Sequence, residues 1–133
     1  MLKPGLGRTH RSYLWSYSSS EYDDLQAVVY AFALRGAAEY VMKLDSVTAA
    51  GVAAPFLKMF GITLGAALLA KQAGKASDWL NTKEGNMPFM KAKIATTSFF
   101  IENLLPHAAA LAESIQHASS GSLSKMTEEQ FVL

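Results

Sequence analysis

The stretch MFGITLGAALLA, residues 59–70, contains no charged side chain. Apolar residues surround this run on all sides of a helical wheel, a pattern typical of a buried helix and not of an amphipathic surface helix. Pro55 fits the first turn of a helix, where its missing N–H removes no hydrogen bond, and Lys71 marks the return to solvent. The sequence therefore predicts a core helix over residues 53–80.

The same stretch is too short to be a membrane span. Pro55 and Lys58 interrupt the apolar segment that begins at residue 47, which leaves 12 uninterrupted residues. A transmembrane helix needs about 20 apolar residues. We therefore expect a core helix and no membrane partner.

A second long helix is predicted over residues 88–118, because Pro88 suits a first helical turn and apolar residues recur downstream at helical spacing. Pro106 lies inside it and removes one backbone hydrogen bond, so we expect a kink near residues 102–103. Residues 37–44 form the first helix in this scheme. The predicted class is mainly α: an antiparallel helical bundle with two long helices and a shortened first helix.

The chain has 133 residues, 17% charged and 50% hydrophobic, which fits one folded domain and argues against an intrinsically disordered chain. The absence of cysteine excludes disulfides, thiolate zinc sites and cysteine nucleophiles. Basic residues such as Lys3, Arg8 and Arg11 break the first apolar stretch, so no signal peptide is predicted and a cytoplasmic location is expected. The net charge of +1 gives no overall attraction to nucleic acid.

Composition changes sharply near residue 35. All three arginines and four of the five tyrosines lie in residues 1–35, whereas alanine is sparse there and dominant afterwards. A change this sharp in so short a chain indicates two segments of different origin.

The first of these segments is predicted to contain a β-hairpin over residues 13–33. Residues 12–18 and 25–33 are rich in aromatic and β-branched side chains, and a short polar connector separates them, as in a hairpin. The alternative is a helix from about residue 24 to residue 43, since the acidic residues at its start favour a helix N-terminus.

No residue set for catalysis stands out. The three histidines, His10, His107 and His117, lack the pairwise spacing of a metal site. The sequence also groups no nucleophile, base and orienting residue. We expect no catalytic, cofactor-binding or metal-binding residue.

The basic N-terminal arm is a candidate for nucleic-acid contact. Arg8 and Arg11 lie close to Trp15, and cations beside aromatic rings can hold a single strand. A solvated tail is the preferred interpretation, so nucleic acid is not the expected partner.

Helix packing is predicted at two pairs of positions. Gly61 and Gly65 lie four residues apart on one helix face, where small residues let another helix approach closely. Phe100 and Leu104 belong to the apolar stripe of the second long helix.

Two motifs carry a family resemblance. PFLKMFG at residues 55–61 is the first, and AKIATTSFF at residues 92–100, followed by LLP at 104–106 and AAAL at 108–111, is the second. Through these motifs residues 37–133 resemble the C-terminal helical extension of acyl-CoA dehydrogenase-like flavoenzymes, in the branch that includes methylmercaptopropionyl-CoA dehydrogenases.

The resemblance implies a role in packing and subunit assembly. In that family the dehydrogenase body binds FAD and acyl-CoA and supplies the catalytic glutamate, and none of that body is in this sequence. The resemblance therefore implies no cofactor in this chain, FAD in the related full-length enzymes, and a dehydrogenase body as a candidate partner.

A second resemblance covers the N-terminal segment. PGLGRTHRSYLWSY at residues 4–17 and DLQAVVYAF at residues 24–32, with Arg35, resemble an internal piece of a bacterial insertion-sequence transposase. In that family the piece supplies two adjacent strands of an RNase H-like fold, and the acidic catalytic residues lie outside it. The resemblance predicts a chimera, joined near residues 33–37.

The predicted domains are a basic arm and hairpin over residues 1–35 and a helical domain over residues 36–133. A shortened first helix leaves apolar faces of the long helices exposed, and large exposed apolar patches mark interfaces. We expect the hairpin to cover these faces, or a homo-oligomer to form through them.

The predicted function is a non-catalytic accessory or assembly domain of an acyl-CoA dehydrogenase-like flavoenzyme, in a truncated chimeric chain that is not an enzyme on its own. One alternative is a subunit of an FAD-dependent acyl-CoA dehydrogenase that is active only with a separate flavoprotein body. The other is a nucleic-acid-binding remnant of a transposase.

Overall fold

The computed structural model describes residues 19–118 and 126–131, and every regular element in this part of the chain is helical. Its α-helices are α1 (Ser19–Val41), α2 (Ser46–Thr82), α3 (Met87–Asn103) and α4 (His107–His117). A 3-10 turn, Glu128–Phe131, follows them. The central element is α2, since α1, α3 and α4 all pack against it. The mainly helical bundle predicted from the sequence is confirmed.

The hairpin predicted over residues 13–33 is wrong where the structure describes it. Residues 19–33 lie within α1, and residues 13–18 lie outside the described residues. The first helix is 23 residues long, so it is not the short helix predicted over residues 37–44. It also runs without a break through residues 33–37, where the sequence predicted a junction.

The wrong prediction has a physical cause in the apolar residues on two faces of α1. Ala27 and Ala37 are buried in the bundle, whereas Leu25 and Phe32 are exposed on the other side. A helix with two apolar faces lacks the apolar period of 3.6 residues by which an amphipathic helix is recognised. Its β-branched and aromatic residues are also typical of a strand.

The N-terminus of α2 is fixed by Asp45. Its carboxylate accepts hydrogen bonds from the backbone N–H of Val47 (3.1 Å) and Thr48 (3.0 Å) and from the Thr48 hydroxyl (2.7 Å). These bonds satisfy N–H groups that a helix start leaves unpaired. Hydrogen bonds from Thr48, and a weaker contribution from Val47, lower the pKa of the Asp45 carboxyl. The helix therefore begins at Ser46 and not near residue 53.

Because α2 begins early, Pro55 lies inside it and not in its first turn. Proline has no N–H to donate to the carbonyl four residues earlier, yet the helix continues to Thr82. Lys83, the residue that caps its C-terminus, adopts a left-handed φ of 57°, as C-terminal caps commonly do.

The second long helix predicted over residues 88–118 is two helices. Asn86 caps α3, since its side-chain oxygen accepts a hydrogen bond from the Phe89 N–H (3.1 Å). The helix is broken at residues 104–106, where Pro106 has no N–H and His107 turns back to donate to the Leu104 carbonyl (3.1 Å). The disruption expected near residues 102–103 therefore occurs just downstream and separates α3 from α4.

Two clusters of buried residues hold the helices together, and small side chains are prominent in both. The first consists of Ala27, Ala66, Ala70, Ile101 and Leu105. The second consists of Ala37, Val52, Met59, Ala108 and Ile115. The distance between packed helices depends on the side chains at the contact, so alanine-lined faces allow a close approach.

Polar contacts connect α1 to the second half of the bundle. The Ser98 hydroxyl of α3 donates to the buried Asp23 carboxylate of α1 at 3.1 Å. The Tyr40 hydroxyl of α1 donates to the Gln116 carbonyl of α4 at 3.1 Å. These contacts fix the position of α1 along the bundle and therefore the direction of its outer face.

Candidate functional site

The described residues contain no cluster suited to metal chemistry. In residues 19–118 and 126–131, no group of three histidine, cysteine, aspartate or glutamate side chains could hold a metal ion. The buried Asp23 carboxylate accepts a hydrogen bond from Ser98, which serves the contact between helices. The candidate functional feature is an outer surface of large apolar side chains.

The first part of this surface is the α1 stripe, defined as Leu25, Val28, Val29 and Phe32, all of them exposed. Their spacing of three, four and seven residues from Leu25 places them on one helix face. Phe32 is 67% exposed. The bundle packs against the opposite face of α1, so the α1 stripe has no partner in the part of the chain that the structure describes.

The second part is the α2 stripe, defined as Leu57, Phe60, Leu64 and Leu68, which are likewise exposed. Spacings of three, seven and eleven residues from Leu57 align them along one face of α2. Leu57 is 70% exposed, although its neighbour Met59 is completely buried on the opposite face.

Charged residues border both stripes. Beyond the α1 stripe, the exposed Arg35 Nε lies 3.0 Å from Glu39 Oε1, and at the other end partial burial raises the pKa of the Asp24 carboxyl. Lys71 follows the α2 stripe. An apolar patch with a polar rim is the usual pattern of an interaction surface.

The positions predicted for helix packing differ in their surroundings. A Cβ added at Gly65 would lie 3.4 Å from the Phe100 ring, so α3 approaches α2 closely there. A Cβ added at Gly61 would meet no atom within 4 Å among the described residues, so packing does not require a glycine at that position. Leu104 is exposed at the end of α3, whereas Leu105 is fully buried.

The positions predicted for nucleic-acid contact, Arg8, Arg11 and Trp15, lie outside the described residues. The α1 stripe, in contrast, was not predicted from the sequence. The signal that could have found it is the sequence LQAVVYAF at residues 25–32, in which large apolar residues recur at helical spacing.

One helix of the described part is long and apolar enough to cross a membrane by length and composition. It is α2, and 22% of its most apolar 18-residue stretch is buried inside the bundle. A single helix that passes this test is weak evidence for a membrane span.

A family model described as acetyl-CoA dehydrogenase C-terminal like matches residues 20–126. The match begins within the first turn of α1 and includes every described α-helix together with both stripes. No curated protein and no solved structure matches the chain. None of these comparisons supports the transposase resemblance of residues 1–35.

Proposed function

Because the chain belongs to the acetyl-CoA dehydrogenase C-terminal-like family, we propose that it is a non-catalytic helical domain that assembles with the body of an acyl-CoA dehydrogenase-like flavoenzyme. The body would be carried on this polypeptide or on another one. Flavin binding and catalysis belong to the body in this proposal, and the helical domain supplies an assembly surface.

The observation that carries the proposal is the exposure of the α1 and α2 stripes. Burying a leucine or phenylalanine side chain contributes about 1.5–3 kcal/mol, and eight large apolar side chains of the two stripes are exposed. Both stripes belong to the segment that matches the family. A protein surface that covers them would therefore gain hydrophobic stabilisation without any change in the bundle.

A protein partner suits these stripes better than a lipid bilayer. Leu68, at the end of the α2 stripe, lies 11 positions after Leu57, which is about 16 Å along the helix at 1.5 Å per residue. That is about half of the roughly 30 Å hydrocarbon core of a membrane. Lys71 then interrupts the apolar surface, and the opposite face of α2 is covered by other helices.

The direct test is co-elution with a flavoprotein body. The chain would be mixed with a dehydrogenase of this family from which the C-terminal helical domain has been deleted, and flavin absorbance would be followed on a sizing column. We expect the flavin to shift to the mass of a complex. Phe32→Gln combined with Leu64→Gln should abolish the shift, because each change places a polar group in a stripe.

The matched control is Met42→Gln, since Met42 is 85% exposed but lies outside both stripes. This variant should form the complex as the unchanged chain does. Loss of the complex in the control as well, or complex formation by the stripe variant, would contradict the proposal. Binding to neutral phosphatidylcholine vesicles with no shift of the flavin would also contradict it and would favour a membrane surface.

The same samples address the alternative of an enzyme subunit. If the chain completes an FAD-dependent dehydrogenase, the body alone should show little acyl-CoA oxidation and the complex should show much more. If the body and the complex oxidise acyl-CoA equally well, the chain has a role in assembly and none in catalysis. In the absence of a body, we propose that the stripes pair with a second copy, so light scattering should give a mass above that of a monomer.

The chimera hypothesis is best restricted to residues 1–19. The helix α1 runs through the proposed junction, and the family match includes residues 20–35. Both observations favour a common origin for residues 20–126. Sequencing the genomic locus would test the hypothesis for the remaining arm, and a contiguous family sequence upstream of residue 20 would contradict it.

A further inference from the structure

A second surface feature lies just beyond the C-terminal end of the α2 stripe, where the last turns of α2 meet the first turns of α3. It is an open groove with a volume of about 190 Å³. Ala76 and the side chain of Met90 are buried at its base, and Trp79 and Phe89 form its walls, 39% and 52% exposed. The groove therefore offers two accessible aromatic rings over an apolar base.

Two lysines stand at the edge of the groove. Lys75 Nζ lies 5.9 Å from the centroid of the Trp79 ring, and Lys93 Nζ lies 5.6 Å from that of Phe89. Lys93 Nζ also donates to Gln72 Oε1 at 3.0 Å. Each ammonium is thereby held beside a ring that lines the groove.

Among the described residues, neither Lys75 nor Lys93 forms an ion pair with a carboxylate. An ion pair in this part of the chain joins Arg35 to Glu39, away from the groove. Residues 71–93 carry five lysines and two acidic residues, a net charge of +3 by subtraction, in a chain whose total is +1. This positive region repels metal cations and attracts anions.

We propose that this groove binds a small aromatic carboxylate, with its ring between Trp79 and Phe89 and its carboxylate paired with Lys75 and Lys93. An apolar cavity of about 150 Å³ is known to accept benzene, so about 190 Å³ accommodates one aromatic ring. The aromatic walls favour a flat ring by stacking, and the ammonium groups supply charge-assisted hydrogen bonds to a carboxylate.

The test uses phenylacetate as the probe and tryptophan fluorescence as the signal. The chain has two tryptophans, so a Trp15→Phe background makes the emission report on Trp79 alone. We expect saturable quenching with a Kd on the order of 1 mM. Phenylacetamide, which has the same shape without the charge, and butyrate, which lacks the ring, should each bind at least tenfold more weakly.

The charge contribution is tested by Lys75→Gln combined with Lys93→Gln. This variant should bind phenylacetate at least tenfold more weakly and leave phenylacetamide binding unchanged. The matched control is Lys91→Gln, a lysine on α3 that does not line the groove, and its affinity should match that of the background. Circular dichroism of each variant checks that the helices are intact.

Three results would overturn the proposal: quenching that does not saturate, equal binding of phenylacetate and phenylacetamide, or an equal loss of affinity in the Lys91→Gln control. The last would show attraction to the general positive charge and not to the groove. None of these results bears on co-elution with a flavoprotein body, since the groove residues belong to neither stripe.

Discussion

The inner and outer faces of α1 and α2 are both apolar, but their side chains differ in size. Small residues, including Ala27, Ala66 and Ala70, are prominent on the inner faces, whereas exposed leucine, valine and phenylalanine residues form the outer stripes. Small inner side chains allow close helix packing. Large exposed outer side chains would gain hydrophobic stabilisation on burial, which is the basis of the proposal that a partner covers them.

The largest expected effect comes from breaking the inner face at Met59. Met59 is completely buried, so Met59→Ala should cost about 2–5 kcal/mol of the free energy of unfolding through the cavity it leaves. A fall in Tm on the order of 10 °C should accompany this loss. Leu57→Ala, on the outer face of the same helix, should stay within about 0.5 kcal/mol. Equal losses in urea denaturation would contradict the assignment of faces.

Larger side chains should also affect the stability of the fold differently on the two faces of α2. Ala66 is fully buried and its neighbour Ala67 is exposed. Ala66→Leu should destabilise the fold by about 1–3 kcal/mol, because the close-packed inner face has no space for a larger side chain. Ala67→Leu should be nearly neutral in thermal unfolding. An unaffected Tm for Ala66→Leu would mean that the helices are not closely packed there.

Two buried threonines should respond to valine substitution with opposite signs. The Thr97 hydroxyl lies within hydrogen-bond distance of the Leu69 (3.1 Å) and Lys93 (2.9 Å) carbonyl oxygens. The buried Thr63 hydroxyl has no hydrogen-bond partner among the described residues. Thr97→Val should cost about 1 kcal/mol, and Thr63→Val should gain a similar amount. Chemical denaturation of both variants tests this, and a loss of stability in Thr63→Val would show that its hydroxyl is paired.

The smallest effect belongs to Asp45, which lies on neither face. Hydrogen bonds from Thr48 and Val47 lower its pKa in the folded chain, so the ionised carboxylate stabilises the fold above the ordinary aspartate pKa of about 3.9. That stability is lost as the pH falls through the lowered pKa. The advantage of the unchanged chain over Asp45→Asn in Tm should therefore shrink between pH 6 and pH 3. A constant difference over this range would contradict the assigned role of the charge.

The sequence predicts a helix over residues 59–70 and the disruption at Pro106 correctly, because a continuous apolar run and a missing N–H act locally. The prediction that this run is buried on all sides is wrong, since Phe60, Leu64 and Leu68 are exposed. It places the start of α2 too late, since Asp45 and Ser46 look like an interruption and only the hydrogen bonds to Val47 and Thr48 identify a cap. Pro55 misleads in the same direction, because a proline is more common in a first turn than inside a helix.

The outer surface is harder to predict than the core. In α1 an apolar residue occurs on almost every side, so periodicity cannot distinguish a two-faced helix from a pair of strands. Which face is buried depends on the contacts of Ala27 and Ala37 with other helices. The sequence shows that α1 contains large apolar residues, but only the packing of the bundle shows that those of the α1 stripe are exposed.

Labelling of single cysteines on the outer surface shows directly whether a flavin-binding body covers the two stripes. The chain has no cysteine, so Phe32→Cys, Leu64→Cys and the control Met42→Cys each report one position. Maleimide labelling would be timed with and without the flavin-binding body of a family dehydrogenase. Coverage of the stripes predicts that the body slows labelling at positions 32 and 64 at least tenfold and leaves position 42 unchanged. Unchanged labelling at positions 32 and 64 would contradict the account.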